Sequence, residues 1–485
     1  MQQAKMVSYA PSPPEEFCGR EEERKRLLAA ISRAEEHGQA VVIAGRPGIG
    51  KSSLLSWLAH EVQERPGRLP SLVLRAEVFN RHGLVFLTFR KLMEGLRRYV
   101  VSGLAGTVPV SEGLIEAIGY TGDVFEKYGE LVEPVGLLPK TEEEIVGIFS
   151  RPPEVGYDRV RQAFGELLQA LGREMTVTGR IAAFLLDDIH LASTLDRRLL
   201  CEIVRDIPPG ILLAVTCRAE DAADSGYPEV QLFGMQKSEI RELGERRFGL
   251  VIDDAAAVLL EETCSDPFGL IACLNALCCR GLAPSAGNIE QVLAGAGRAA
   301  ALALSTLSAT ESALAKDLCV LNPPIPVPVA ACMLGVGGPD AALVEGRMQE
   351  SGIFQRLPGG GYAFVHPLLQ EQSRRELSGD AQIAFNARAA DCFEQTMHHL
   401  YSRLHVLLSL ASHLFYAEDY EKAADLNLEL GLRFYRREDY DTALILTDRA
   451  IISAERLGDG ALLAAAQRQG DLIRQKVSDP VEPGG

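Results

Sequence analysis

The chain has 485 residues, 47% hydrophobic and 24% charged, with 66 acids against 49 lysines and arginines and a net charge of −17. That is the composition of folded globular domains, about three at about 150 residues each, and it excludes a low-complexity or fibrous chain. The acidic balance works against loose attraction to a nucleic-acid backbone. No run of about 18 apolar residues and no basic-then-apolar leader is present, so no membrane span is expected and the location expected is cytoplasmic.

Residues 1–16 carry Pro11, Pro13 and Pro14 without apolar periodicity and read as a loose tail. Phe17-Cys18-Gly19-Arg20-Glu21-Glu22-Glu23 follows, then a helix over 24–34 and a short apolar strand over 39–44. Next stands Gly45-Arg46-Pro47-Gly48-Ile49-Gly50-Lys51-Ser52, a complete G-x-x-x-x-G-K-[ST] phosphate loop, with an amphipathic helix over 53–62 behind it. Strand, loop and helix come in the order this chemistry requires. The glycines let backbone N–H groups turn toward phosphate oxygens, and the helix presents its positive end to the same anion. Gly45 to Ser53 would cradle ATP or ADP, Lys51 would reach the β- and γ-phosphates, and Ser52 would hold Mg²⁺.

Further strands are expected over 72–76, 181–186 and 211–216, separated by helical segments, which predicts an α/β P-loop core with a parallel sheet and helices on both faces. Residues 106–153 read as an irregular excursion containing helix-like pieces such as 142–149. The strand over 181–186 ends in Asp187-Asp188, an apolar strand delivering acids to its C-terminal edge. Asp187 is the expected metal-side carboxylate and Asp188 the expected water-positioning acid. The strand over 211–216 ends in Cys217-Arg218. Arg218 would sense the γ-phosphate from the same edge, or else pair with Glu220.

Farther along, Ser308-Ala309-Thr310-Glu311 is a capping box opening a helix, 339–349 reads as another, and 353–364 reads as a hairpin around Pro358-Gly359-Gly360-Gly361. Val365-His366-Pro367 opens the next helix. From 380 to 475 helix follows helix. Glu418-Asp419-Tyr420 and Glu438-Asp439-Tyr440 repeat at a spacing of 20, shorter than the period of about 34 of a tetratricopeptide repeat, so a related helical-hairpin array is expected. His398, His399, His405 and His413 lack metal-ligand spacing and are not read as a metal site.

The Phe17-x-Gly19-Arg20-Glu21 opening, the phosphate loop, Leu185-Leu186-Asp187-Asp188-Ile189-His190 and Thr216-Cys217-Arg218 together resemble the STAND class of signal-transduction ATPases, most nearly the AAA-type cores of large LuxR-type bacterial regulators. The resemblance covers about residues 15–460. It implies that Phe17, Gly19 and Arg20 lie by adenine and ribose. It also implies that Pro267, in Ser265-Asp266-Pro267 where relatives carry a G-N-P-like turn, approaches the base. His366 would contact the β-phosphate of ADP. The implied domains are an ATPase core over 17–220, a helical lid over 221–300, a winged helix over 301–378, TPR-like repeats over 379–476 and a loose tail over 477–485.

The implied function is a slowly hydrolysing, Mg²⁺-dependent ATP/ADP switch in signalling or transcription, with a protein or small-molecule inducer on the repeats and an ATP-dependent homo-oligomer as a possible assembly. One alternative is an AAA-type DNA-handling ATPase of the replication-initiator kind. Residues 301–380 hold five lysines and arginines against eight acids, a net of −3, which disfavours it. The other alternative is a non-hydrolysing nucleotide-bound scaffold. No C-terminal helix-turn-helix segment and no N-terminal effector is read in the chain.

Overall fold

The computed structural model describes residues 7–64, 71–77, 87–104, 110–129, 157–222, 228–294, 298–336, 341–357, 360–396, 403–436 and 438–478. The chain forms two compact units, one of Met1–Phe79, Leu171–His190 and Ile207–Ser378, the other of Asn80–Ala170, Leu191–Asp206 and Gly379–Gly485. Residues 221–378 fall in the first unit with the sheet, and 80–170 and 191–206 fall in the second with the C-terminal helices.

The first unit is built on five parallel strands, β1 Gln39–Ala44, β2 Leu72–Glu77, β3 Ala182–Asp187, β4 Ile211–Cys217 and β5 Glu229–Gln231, in the order β2-β3-β4-β1-β5. Their runs of Val, Ile, Leu and Ala suit strands covered on both faces, and β3 is buried throughout. β5, only three residues long, was not anticipated. Helices α1 Glu21–Ala34 and α2 Lys51–Gln63 cover the sheet, with Leu27, Ile31, Leu54, Leu55 and Leu58 packed on Ile43, Leu185 and Leu212.

After β5 come α3 Lys237–Leu243, a π-helical turn Gly244–Phe248, helix Asp254–Thr263 and α4 Pro267–Cys279. α4 is buried on every side from Phe268 to Leu277, as its apolar sequence dictates, and Asp266 caps it by accepting from the Gly269 N–H. The short helix α5 Ala299–Ser305 leads to α6 Ala309–Leu318, which opens with the expected Ser308–Glu311 capping box. Then follow α7 Val327–Met333, α8 Ala341–Glu350, the antiparallel hairpin β6 Phe354–Arg356 and β7 Tyr362–Phe364, and α9 Pro367–Arg375.

The expectation of a loose tail over 1–16 is corrected for residues 7–16. Val7 and Tyr9 are buried, and Pro14–Glu16 form a 3-10 turn. The segment is held through its backbone and its tyrosine, a mode that carries no helical or strand periodicity.

In the second unit, helices Leu87–Leu104 and Glu112–Gly129 join the first part of Tyr157–Val177 around a cluster of Phe89, Phe125 and Phe164, the closest pair edge-on at 4.9 Å. The expected irregular excursion over 106–153 is thus corrected to a helix over Glu112–Gly129, and the piece at 142–149 lies outside the described residues. The C-terminal array is α10 Gly379–Thr396, α11 Arg403–Tyr416, α12 Tyr420–Tyr435, α13 Tyr440–Leu457 and α14 Gly460–Ser478. Of the expected loose tail over 477–485, residues 477 and 478 are helical and the rest lie outside the described residues.

The spacing of 20 marks the junctions of this array. Glu418 and Glu438 are left-handed, at φ 61° and 62°, closing one helix, and Asp419 and Asp439 cap the next. No described helix is long and apolar enough to cross a membrane.

Candidate functional site

Sheet order decides which side chains meet. Because β4 lies between β1 and β3, with Ala44 beside Cys217 and Leu186 beside Val215, the phosphate loop, the Asp187 end and the Thr216 end share one sheet edge. In the loop, Gly48 and Gly50 have φ of 82° and 97°, backbone that only glycine adopts cheaply. Ile49 is buried in the core and anchors the loop, while Arg46 and Pro47 stand exposed. Lys51 is buried, and its ammonium donates to the Gly45 and Arg46 carbonyls at 2.9 and 3.1 Å. Burial pushes the Lys51 ammonium below its usual range, with Asp188 and Asp187 opposing the shift. A cation so placed, among carbonyls that phosphate oxygens would displace, suits an anion.

Asp187 is buried and accepts a 2.5 Å hydrogen bond from the Thr216 hydroxyl. The same hydroxyl oxygen accepts the Asp188 N–H at 2.7 Å, and Asp188 is left-handed at φ 56°. Thr216, fully buried, thus fixes both acids at once. It was missed as a site residue because a strand threonine looks like β-propensity alone. Arg218 lies 3.8 Å from Glu220, the bland partner expected for it, and lies close enough to Lys51 for its charge to add to the lowering there.

The remaining expected residues fall into two groups. The Phe17 ring stacks on Trp57 at 6.1 Å inside the hydrophobic cluster. The Arg20 guanidinium donates to the Ile49 carbonyl at 3.1 Å and pairs with Glu23, bracing the phosphate loop from behind. Gly19 and Arg20 are left-handed, and their N–H groups donate to Glu242 and Glu239 beyond β5. A Cβ at Gly19 would lie 2.5 Å from Glu239 Oε1. Ser53 accepts the Ser12 N–H at 3.1 Å, and Ser52 stands in the first turn of α2.

Pro267 and His366 both come to the loop. A Cβ at Gly50 would sit 3.5 Å from Pro267 Cγ, one at Gly48 3.0 Å from Phe268 Cβ, and the Phe268 N–H donates to the Gly48 carbonyl at 3.2 Å. His366 caps α9 and stacks on Phe268 at 4.2 Å. Its Nδ1 accepts the Leu368 N–H at 3.2 Å, which leaves the proton of the neutral ring on Nε2, a donor. Burial, with Lys51 adding, pushes the imidazole down to about 4, so it is neutral at pH 7. Phe268 was not anticipated, yet it joins the loop to His366.

The glycine cradle, the buried Lys51 and the acid pair fit a nucleotide phosphate with Mg²⁺: Gly45 to Ser52 would hold the phosphates, and Ser52 with Asp187 the ion. Among the described residues no cluster of three His, Cys, Asp or Glu is built to hold a metal by itself. His413 makes a 2.9 Å hydrogen bond to Asn386, and His398 and His399 lie outside the described residues.

The sequence of residues 16–215 matches the AAA ATPase domain family. No curated protein matches the chain. Among solved structures, the chain is similar to a Signal Transduction ATPase with Numerous Domains (STAND) protein with a tetratricopeptide repeat sensor from Pyrococcus horikoshii, at 15% identity and a TM-score of 0.45, covering 98% of this chain and 67% of that one. It is also similar to a RuvB variant from Thermotoga maritima at 16% identity and a TM-score of 0.31, covering 76% of this chain and 99% of that one. The matched segment, less than half of the chain, carries the phosphate loop and the acid pair.

Proposed function

We propose that the protein is a STAND-type ATP/ADP switch whose Mg²⁺-dependent hydrolysis is slow. The observation that carries this reading is the convergence on the phosphate loop of two elements from far downstream, the Pro267 turn and the donor Nε2 of His366, within one compact unit. A nucleotide held by Lys51 and Gly45 to Ser53 would reach both, so the identity of its last phosphate would bias their position. Lys51 would contact the β- and γ-phosphates, Ser52 and Asp187 would hold Mg²⁺, Asp188 would orient water, and Arg218 would answer to the γ-phosphate. His366 would donate to the β-phosphate of ADP.

Residues 301–378 supply three helices α6, α7 and α8, a bridge at Ile325–Tyr362, a hairpin and then α9, the order of a winged helix followed by one more helix, here acting as a lever of the switch. The α10–α14 array would take a protein or small-molecule inducer, as helical arrays do through their concave faces. An ATP-dependent homo-oligomer and an output in signalling or transcription belong to the same reading. The acidic balance of 301–380 argues against the DNA-handling alternative.

The test is to purify the protein without added nucleotide, denature it and identify what is released, with Lys51→Ala alongside. ADP released from the natural sequence and absent from Lys51→Ala supports a closed switch. An empty protein that binds neither ATP nor ADP overturns it.

A further inference from the structure

Residues 7–16 do more than precede the motif. Val7 donates its N–H to the Asn275 side-chain oxygen at 2.9 Å and accepts from the Asn275 amide at 2.8 Å, so both ends of that side chain are answered by one backbone residue. Asn275 is fully buried on α4, the helix that carries Pro267 and Phe268 at its start. Tyr9 lies against Phe268 with ring centroids 5.4 Å apart, and its hydroxyl is 3.3 Å from Thr306 Oγ1 just past α5. Phe268 in turn stacks on His366. Ser12 bridges α2 and the π-helical turn, its N–H donating to Ser53 and its hydroxyl accepting from Arg247 at 3.0 Å. Arg246 donates to the Phe17 and Glu15 carbonyls. One short segment therefore ties α2, α4 and the end of α5 together.

We propose that Tyr9, with Asn275, is a positioning residue for nucleotide retention: through Phe268 it holds the Pro267 turn and His366 on the phosphate loop, making residues 7–16 a latch on a bound nucleoside diphosphate. The inference rests on the nucleotide reading given above. With the latch engaged, Phe268 is held between two rings and cannot swing away from Gly48. Once residues 7–16 detach, Phe268 keeps only His366 and the Asn275 amide loses both its Val7 partners, so α4 and α9 separate from the loop more readily and the diphosphate escapes.

The experiment follows dissociation of a fluorescent ADP from the full chain, chased with excess unlabelled ADP, for the natural sequence, Tyr9→Ala, Tyr9→Leu, Tyr9→Phe and Lys51→Ala. Tyr9→Ala and Tyr9→Leu should release ADP at least about tenfold faster with the association rate little changed, and Tyr9→Ala, which empties a buried site, should also lower the urea midpoint. Tyr9→Phe, which keeps the ring, should stay within about threefold of the natural rate. Tyr9→Leu conserves an apolar side chain of similar reach and keeps the test alive should Tyr9→Ala not fold. Release at the natural rate from Tyr9→Leu, while Lys51→Ala fails to bind, overturns the latch and leaves the nucleotide site standing. Failure of the natural sequence to bind ADP at all overturns both.

Discussion

Thr216→Val is the sharpest perturbation of the acid pair, because it removes one oxygen and keeps the shape of the side chain. Two interactions go with that oxygen: the 2.5 Å hydrogen bond donated to Asp187 and the 2.7 Å bond accepted from the Asp188 N–H. A hydrogen bond to a charged group contributes about 1.5 to 3 kcal/mol, and an orphaned buried amide costs about 1 to 3 kcal/mol. The two losses share one site and are not fully additive, so about 3 kcal/mol is expected in all. Asp188, left-handed at φ 56°, also loses the bond that helps hold it there, and its carboxylate should drift from the sheet edge. Steady-state hydrolysis of Mg·ATP should fall by about 10- to 100-fold if the acids act as proposed. Urea unfolding should show the lost stability directly, and Thr216→Ser, which restores the hydroxyl, should recover most of both. Unchanged hydrolysis and an unchanged urea midpoint in Thr216→Val would refute the bridging role.

Three further outcomes are expected. Gly48→Ala should weaken Mg·ATP binding at least about tenfold in calorimetry, since a left-handed φ costs a side chain about 1 to 2 kcal/mol and the new Cβ would stand 3.0 Å from Phe268; an unaltered dissociation constant would sink the argument. His366 has a folded value of about 4 against an ordinary 6.5, so the unfolded chain takes up its proton first as pH falls. Stability from this group is intact above pH 6.5 and is lost toward pH 4 at up to about 1.4 kcal/mol per pH unit; His366→Gln should flatten that slope in urea titrations, and identical slopes would count against it. A Cβ at Gly431 would stand 2.6 Å from Thr447 Oγ1 and 2.7 Å from Gln469 Nε2, so Gly431→Ala should destabilise the helical array by about 1 to 3 kcal/mol, read as faster amide exchange in α12 and α13, and unchanged exchange would contradict it.

The nucleotide site was legible where chemistry forces both residue type and spacing. The loop from Gly45 to Ser52 and the strand ending in Asp187 stand in the structure as the sequence places them, because few other residues tolerate those backbone angles or that buried edge. Sheet order was not legible, and with it went Thr216: nothing in the chain says that the strand over 211–217 inserts between the other two. Residues 7–16 were misread for a related reason. Their prolines suggested looseness, but the partners that fix them, Asn275, Arg246 and Arg247, lie more than 200 positions away. A signal was present in Asn275 itself, a polar residue in an otherwise apolar helix whose amide had to find a partner.

In the C-terminal array the spacing of 20 is one helix plus one junction, and what recurs is the geometry of the junction. A left-handed residue ends a helix and the aspartate after it accepts an N–H from the next, at Glu418-Asp419 and again at Glu438-Asp439. The same spacing reaches a third junction, Gly458-Asp459, where Gly458 is left-handed at φ 71° and Asp459 accepts from Leu462. Sequence comparison passed over it because Gly458 and Gly460 stand where the other copies have Glu and Tyr. Physically the glycine is the least strained of the three, since glutamate at a left-handed angle carries a cost that glycine avoids. The motif to search for in such an array is therefore a residue able to turn left-handed followed by an aspartate cap. The conserved geometry belongs to the backbone, and the surrounding side chains are free to vary.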